Sequence, residues 1–111
     1  MSTTPTFESF HADVVRTSSS YEDPNIELAV IGLGLTGEAG EVAELIKKNL
    51  GHGHTLDKTK FVKELGDVLF YLDWAATRVG VTLAEVARVN MDKRLERYPH
   101  GFEQSRTYHN G

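Results

Sequence analysis

The sequence predicts an all-α protein built from four helices in a single domain, residues 1–111. Apolar residues recur at helical spacing in four segments, and no segment alternates as a half-buried strand does. Capping or turn residues separate the segments. A chain of 111 residues fits one domain with a modest core.

The first helix is expected over residues 6–18, where Phe and Val side chains recur at helical spacing. The polar stretch SSSYEDPN then indicates a loop. Asp23 can cap the next helix and Pro24 can occupy its first position. We expect this second helix over residues 25–49.

The third and fourth helices carry capping residues at their starts. Asp57 is a suitable N-cap for a helix over residues 58–79. Thr82 and Glu85 form the T-x-x-E pattern of a capping box, which predicts a helix over residues 83–97.

Composition excludes several classes of protein. The chain has no cysteine, which rules out disulfide scaffolds, cysteine zinc sites and thiol catalysis. It has no apolar run of about 20 residues and no signal-peptide pattern at its start, so we expect a cytoplasmic protein without a membrane partner. The net charge of −4 argues against binding of a nucleic acid polymer. Phosphate groups would therefore be handled through metal ions.

Residues 32–37 match G-x-G-x-x-G, the dinucleotide-binding pattern, but their context is wrong for it. A Rossmann unit needs a second strand, and residues 50–57 do not form a strand pattern. Glycine in a helix interior costs up to about 1 kcal/mol against alanine. The glycines at 32, 34, 37 and 40 are therefore expected to serve close helix packing or function.

Two acidic pairs lie within apolar helix faces. Glu38 and Glu41 are three residues apart, and Glu64 and Asp67 repeat this spacing on the third helix. Their faces are otherwise apolar, whereas Asp73 lies on the opposite side of its helix. Buried carboxylates stay charged only beside cations or basic groups.

Several interpretations of these acids remain open. They could be surface groups paired with nearby lysines, or they could bind hard cations such as Mg²⁺ or Mn²⁺, two of which would activate a water against a phosphate. A ferritin-like di-iron site is less suitable, because only Glu8 and His11 form an E-x-x-H motif. His52 and His54 lie in a glycine loop, where solvent exposure is favoured over metal binding.

A cationic stripe follows on the fourth helix. Asn90, Lys93 and Arg97 share one side, and Tyr98 follows directly. The basic residues could simply complement the helix C-terminus, or they could hold phosphates beside bound metal ions.

Taken together, these motifs resemble the MazG-like all-α nucleotide pyrophosphohydrolases, whose signature is E-x-x-E, a spacer and E-x-x-D. The matching segments are GLTGEAGEVAELIKK, KELGDVLFYL and NMDKRLERYPHGF, and the resemblance covers about residues 22–103. It implies cleavage of nucleoside triphosphates to a monophosphate and pyrophosphate. It also implies Mg²⁺, replaceable by Mn²⁺, bound by Glu38, Glu41, Glu64 and Asp67.

The expected substrate contacts are Lys60, Asn90, Lys93, Arg97 and Tyr98. Many relatives have a further acid where this chain has Gly37, so Glu38 or Glu41 is expected to position the attacking water. Deoxynucleoside triphosphates are the expected substrates, with dGTP placed ahead of pyrimidine nucleotides although no residue pattern fixes the base. The rival functions are a non-catalytic helical oligomerisation or regulatory module and a phosphohydrolase that releases orthophosphate.

Residues 68–76 are apolar almost all round, which predicts burial on more than one side of the third helix. We therefore expect an oligomeric helical bundle with Phe70 or Trp74 near an interface. The family resemblance implies a dimer or a dimer-of-dimers tetramer.

Overall fold

Four α-helices connected by short loops form the chain, as the sequence predicts. The structure is a computed structural model that describes residues 3–51, 53 and 55–102. These residues form no β-strand, only an isolated bridge between Pro99 and Gly101. The helices are α1 (Phe7–Thr17), α2 (Pro24–Gly51), α3 (Lys58–Arg78) and α4 (Leu83–Arg97). The predicted boundaries are confirmed to within two residues at each end.

The predicted caps account for where the helices begin. The Asp57 carboxylate accepts a hydrogen bond from the Lys60 amide at 3.1 Å. The Thr82 hydroxyl accepts from the Glu85 amide at 3.1 Å. These bonds satisfy amides that have no partner within the first helical turn.

An antiparallel seam between α2 and α3 holds the molecule together. One stripe of each helix faces the other, with residues spaced three or four apart. From the start of α2 to its middle, the facing residues are Glu27 with Arg78, Ile31 with Trp74, Gly34 with Tyr71, and Glu38 with Glu64 and Asp67.

Helix α1 covers a second side of α3 and completes a small core. Val14, Ile31 and Trp74 are buried together, with Phe70 and Tyr71 packed against them. Trp74 is only 7% exposed, because α1 and α2 cover the apolar part of α3 from two sides within one chain. The expected position of Phe70 or Trp74 near a subunit interface stays a prediction.

Among the α2 glycines at 32, 34, 37 and 40, Gly34 is the one at which a side chain would collide with its neighbour. A Cβ at Gly34 would overlap the Tyr71 ring, whereas Cβ atoms at Gly32, Gly37 and Gly40 would meet no neighbouring atom. The expectation of close packing is therefore confirmed for Gly34 and does not hold for the other three within one chain. The Tyr71 ring cannot easily move aside, because it is stacked on Trp74 with ring centroids 6.0 Å apart.

Substituting alanine at Gly34 is expected to lower the free energy of unfolding by about 1–3 kcal/mol, the usual cost of overpacking. Gly32→Ala on the same helix is the matched control and should raise it by up to about 1 kcal/mol, because alanine favours the helix. Urea denaturation of both variants checks this. Equal effects of the two substitutions would contradict the close approach of Gly34 to Tyr71.

A large apolar surface remains uncovered on the single chain. Leu33, Leu50 and Val79 are each more than 70% exposed. The radius of gyration is 17.0 Å, whereas a compact chain of about this length has about 13 Å. No described helix is long and apolar enough to cross a membrane.

Candidate metal centre

Three carboxylates converge in the α2–α3 seam, near the middle of α2. Glu38 on α2 and Glu64 and Asp67 on α3 each place an oxygen within 4.8 Å of the others. The helical stripes explain this convergence: Glu64 and Asp67 share one face of α3, and that face packs against the line of Gly34 and Glu38. Three oxygen ligands at this spacing suit a hard divalent cation.

The cluster concentrates negative charge without a basic partner among the described residues. None of the ion pairs formed by the described residues involves Glu38, Glu64 or Asp67. Desolvation raises the pKa of Glu38 from its usual 4.5 to about 7, with further contributions from hydrogen bonding to Glu64 and repulsion by Asp67 and Glu64. A bound cation would relieve this repulsion, so the lysine-paired interpretation of these acids is not supported.

The raised pKa of Glu38 predicts a pH effect with a definite sign. Because the folded protein holds this proton more tightly than the unfolded chain, the group's contribution to stability is complete below pH 4.5 and is lost as pH rises to about 7. In EDTA, the melting temperature should therefore fall more steeply over this interval than in the Glu38→Gln variant. Added Mg²⁺ should stabilise the wild-type protein more at pH 8 than at pH 6, because binding then displaces no proton. Parallel pH profiles for the two proteins would contradict the assignment.

Glu41 is exposed and does not belong to the three-carboxylate cluster. The helical spacing of the sequence predicts that Glu41 lies inside the apolar stripe with Glu38. Three residues turn a helix by about 300°, so Glu41 is rotated towards solvent while Glu38 faces α3. Its role as a metal ligand stays a prediction.

The expected substrate contacts Lys60, Asn90 and Lys93 lie on two different helices, α3 and α4. Lys60 is exposed on α3, one turn before Glu64, and lines a cavity with Lys48 at the α2–α3 connection. Asn90 and Lys93 line a different groove along α4. In the described part of the chain, α4 packs against α3 and has no extensive packing with α2.

The remaining two expected substrate contacts, Arg97 and Tyr98, lie at the end of α4. Arg97 is half-buried, with its guanidinium carbon 5.9 Å from the centre of the neighbouring Tyr98 ring. The Tyr98 ring in turn lies against Phe102, with the ring centres 5.6 Å apart.

Two polar pairs in the structure are not predicted from the sequence. His11 Nδ1 donates a hydrogen bond of 2.9 Å to Asp73 Oδ2, and Asp73 is only 1% exposed. Glu27 accepts a 2.9 Å bond from Trp74 Nε1 and forms an ion pair with Arg78. An acid within the apolar run 68–76 was the available signal for the first pair. The di-iron alternative is not supported, because the carboxylate cluster found among the described residues contains no histidine. His52 and His54 lie outside the described residues.

Comparison with known proteins identifies the motifs. The family model of the MazG nucleotide pyrophosphohydrolase domain matches residues 28–102, which include nearly all of α2 and both acidic pairs. The chain belongs to the MazG family. The gene 37 protein of Mycobacterium phage L5 is 33% identical to it over 81 residues, which cover 69% of this chain and 71% of that protein. No solved structure matches the chain significantly.

The family match covers only part of the molecule. The matched range holds the acidic seam and α4, and it begins after α1 and after Glu27. The MazG domain thus accounts for the carboxylate cluster, whereas the contacts of α1 and the first turn of α2 belong to this chain outside the matched residues.

Proposed function

We propose that this MazG protein is a Mg²⁺-dependent nucleoside triphosphate pyrophosphohydrolase acting on deoxynucleotides. The reaction converts a deoxynucleoside triphosphate and water to the monophosphate and pyrophosphate. The observation that carries the proposal is the convergence of Glu38, Glu64 and Asp67 without a basic partner among the described residues. Such a cluster favours a divalent cation and, through it, a polyphosphate substrate.

In the proposed reaction, the acidic residues and the cation would have distinct roles. When bound, Mg²⁺ would supply Lewis-acid activation of the α-phosphate and of water, and Mn²⁺ could replace it. Glu38, Glu64 and Asp67 would hold the cation. Glu41 lies one turn along α2 and outside this cluster, and we assign it the role of a further ligand or, like Glu38, of a group that orients the attacking water. The water oxygen bonds to the α-phosphorus, and the bond to the bridging oxygen of the β-phosphate breaks.

We further propose that a homo-oligomer, a dimer or a dimer-of-dimers tetramer, completes the phosphate site. Lys93 and Arg97 lie on α4, which packs against α3 and not extensively against α2, and their charges suit phosphates. The exposed apolar residues of α2, α3 and α4 offer surface for association. Light scattering at micromolar concentration should give at least the mass of a dimer, and a monomer would overturn this part of the proposal.

A product assay tests the reaction itself. The protein is incubated with each common nucleoside triphosphate and deoxynucleoside triphosphate in Mg²⁺, and the products are separated by ion exchange. Monophosphate with equimolar pyrophosphate is the expected result. Orthophosphate as the primary product would indicate the phosphohydrolase alternative, and no turnover together with no stabilisation by Mg²⁺ would indicate the non-catalytic module.

A further inference from the structure

We propose that the cavity beside Trp74, at the far end of the α2–α3 seam from the carboxylates, binds the guanine base of the substrate. This inference rests on the proposed function and adds to it the class of base. The cavity has a volume of about 440 Å³, and Tyr21, Glu27, Trp74 and Arg78 contribute to its lining. Its volume falls within the range typical of small-molecule sites, about 300–1,000 Å³.

The apolar wall of this guanine cavity is aromatic. Tyr21 is stacked on Trp74, with ring centroids 6.4 Å apart and an angle of 28° between the ring planes. Tyr21 is 37% exposed, so part of its ring is open to a ligand. Flat aromatic rings at a cavity edge stack on nucleic acid bases of any identity. The aromatic wall therefore favours the binding of a nucleobase but does not distinguish among the four bases.

The polar wall of the guanine cavity would select guanine over the other bases. Glu27 Oε1 lies 2.9 Å from Arg78 Nε, and the two side chains are 21% and 31% exposed. A carboxylate and a guanidinium thus stand side by side at the cavity. Guanine carries two adjacent acceptors, O6 and N7, to which one arginine guanidinium can donate two hydrogen bonds. Next to them lie its two donors, N1–H and the N2 amino group, which suit a carboxylate. Adenine and thymine alternate donors with acceptors along this edge, and cytosine offers the carboxylate one donor group.

The position of the guanine cavity is consistent with a nucleotide that reaches the metal centre. Asp67 and Trp74 are seven residues apart and therefore share one face of α3. Along α3, Asp67 lies about 10 Å from Trp74 and about 16.5 Å from Arg78, at about 1.5 Å per residue. On α2, Glu27 and Glu38 likewise lie on one stripe. A base in the cavity and phosphates at the carboxylates would thus lie along the same seam.

The single tryptophan of the chain makes the test direct. The full-length protein in EDTA is titrated with deoxyguanosine, deoxyadenosine, deoxycytidine and thymidine, and Trp74 fluorescence is read against free tryptophan. Nucleosides without phosphate in a metal-free buffer report on base binding alone. Deoxyguanosine should quench the fluorescence saturably and bind about tenfold or more tightly than the others. Equal quenching by all four, preference for another base, or no quenching would overturn the inference.

Matched variants separate base selection from structural support. Glu27→Gln keeps the size of the side chain and an oxygen for Trp74 Nε1, and it should lower deoxyguanosine affinity about tenfold with little effect on the other nucleosides. Arg88→Gln, an exposed change on α4, should leave all four affinities unchanged. A uniform loss for every nucleoside in Glu27→Gln would contradict selection by this side chain.

The product assay on the same preparation distinguishes the two proposals. Pyrophosphate release without selective quenching would leave the proposed reaction standing and reject the guanine cavity. Selective quenching without hydrolysis of any triphosphate would reject the reaction and retain a guanine nucleoside site.

Discussion

Replacing Asp67 with asparagine is expected to lower pyrophosphate release at least about a hundredfold while the fold is retained. Even residues that only support metal ligands typically contribute 10- to 100-fold to activity or metal affinity, and Asp67 is placed to bind the cation itself. Asparagine keeps the size of the side chain and one oxygen but removes the charge. Steady-state pyrophosphate release and far-ultraviolet circular dichroism measure the two parts of this prediction.

The same variant should respond to metal in a way that a structural defect would not reproduce. Removing the charge of Asp67 relieves repulsion on Glu38, so the metal-free variant should melt above the metal-free wild type. Saturating Mg²⁺ should raise the melting temperature of the wild type by roughly 10 °C, because a ligand at 100 times its Kd adds about 2.7 kcal/mol. This rise should be absent in Asp67→Asn.

Asp92→Asn is the matched control, since Asp92 is exposed on α4 and outside the carboxylate cluster. It should keep both the activity and the stabilisation by Mg²⁺. Near-normal activity in Asp67→Asn, or an equal loss in both variants, would refute the metal centre.

The largest effect on stability is expected at His11. His11→Leu removes the donor to Asp73, a carboxylate that is 1% exposed, and should lower the free energy of unfolding by about 3 kcal/mol. For a chain of this size, that corresponds to a fall of roughly 10 °C or more in melting temperature. Chemical denaturation of the two proteins gives the difference directly.

Two further variants separate the loss of this hydrogen bond from the loss of packing. His11→Asn retains a donor and should recover part of the stability. The double variant His11→Leu with Asp73→Leu removes both polar partners, which is often nearly neutral, and should be more stable than His11→Leu alone. His100→Leu, at an exposed position, is the control. A double variant less stable than the single one would show that the His11–Asp73 pair is not what supports α1.

The MazG assignment was already available from the order and spacing of the acidic motifs, and the family comparison confirms it. Glu38, Glu64 and Asp67 could be placed together because both helical stripes were readable from the sequence. Glu41 shows the limit of that reasoning. A stripe drawn on a helical wheel is broad, and the position of the facing helix decides which edge of it is covered.

The four helices could be predicted from the sequence, because capping and helical periodicity are local properties of the chain. The acidic character of the α2–α3 seam could be predicted in the same way. The partner that each side chain meets depends on tertiary packing. Trp74 is buried by α1 and α2 of its own chain, Asp73 meets His11 from 62 residues away, and Glu27 pairs with Arg78. These contacts depend on how the helices are oriented to one another, which is a property of the packed molecule and is not set by any one segment.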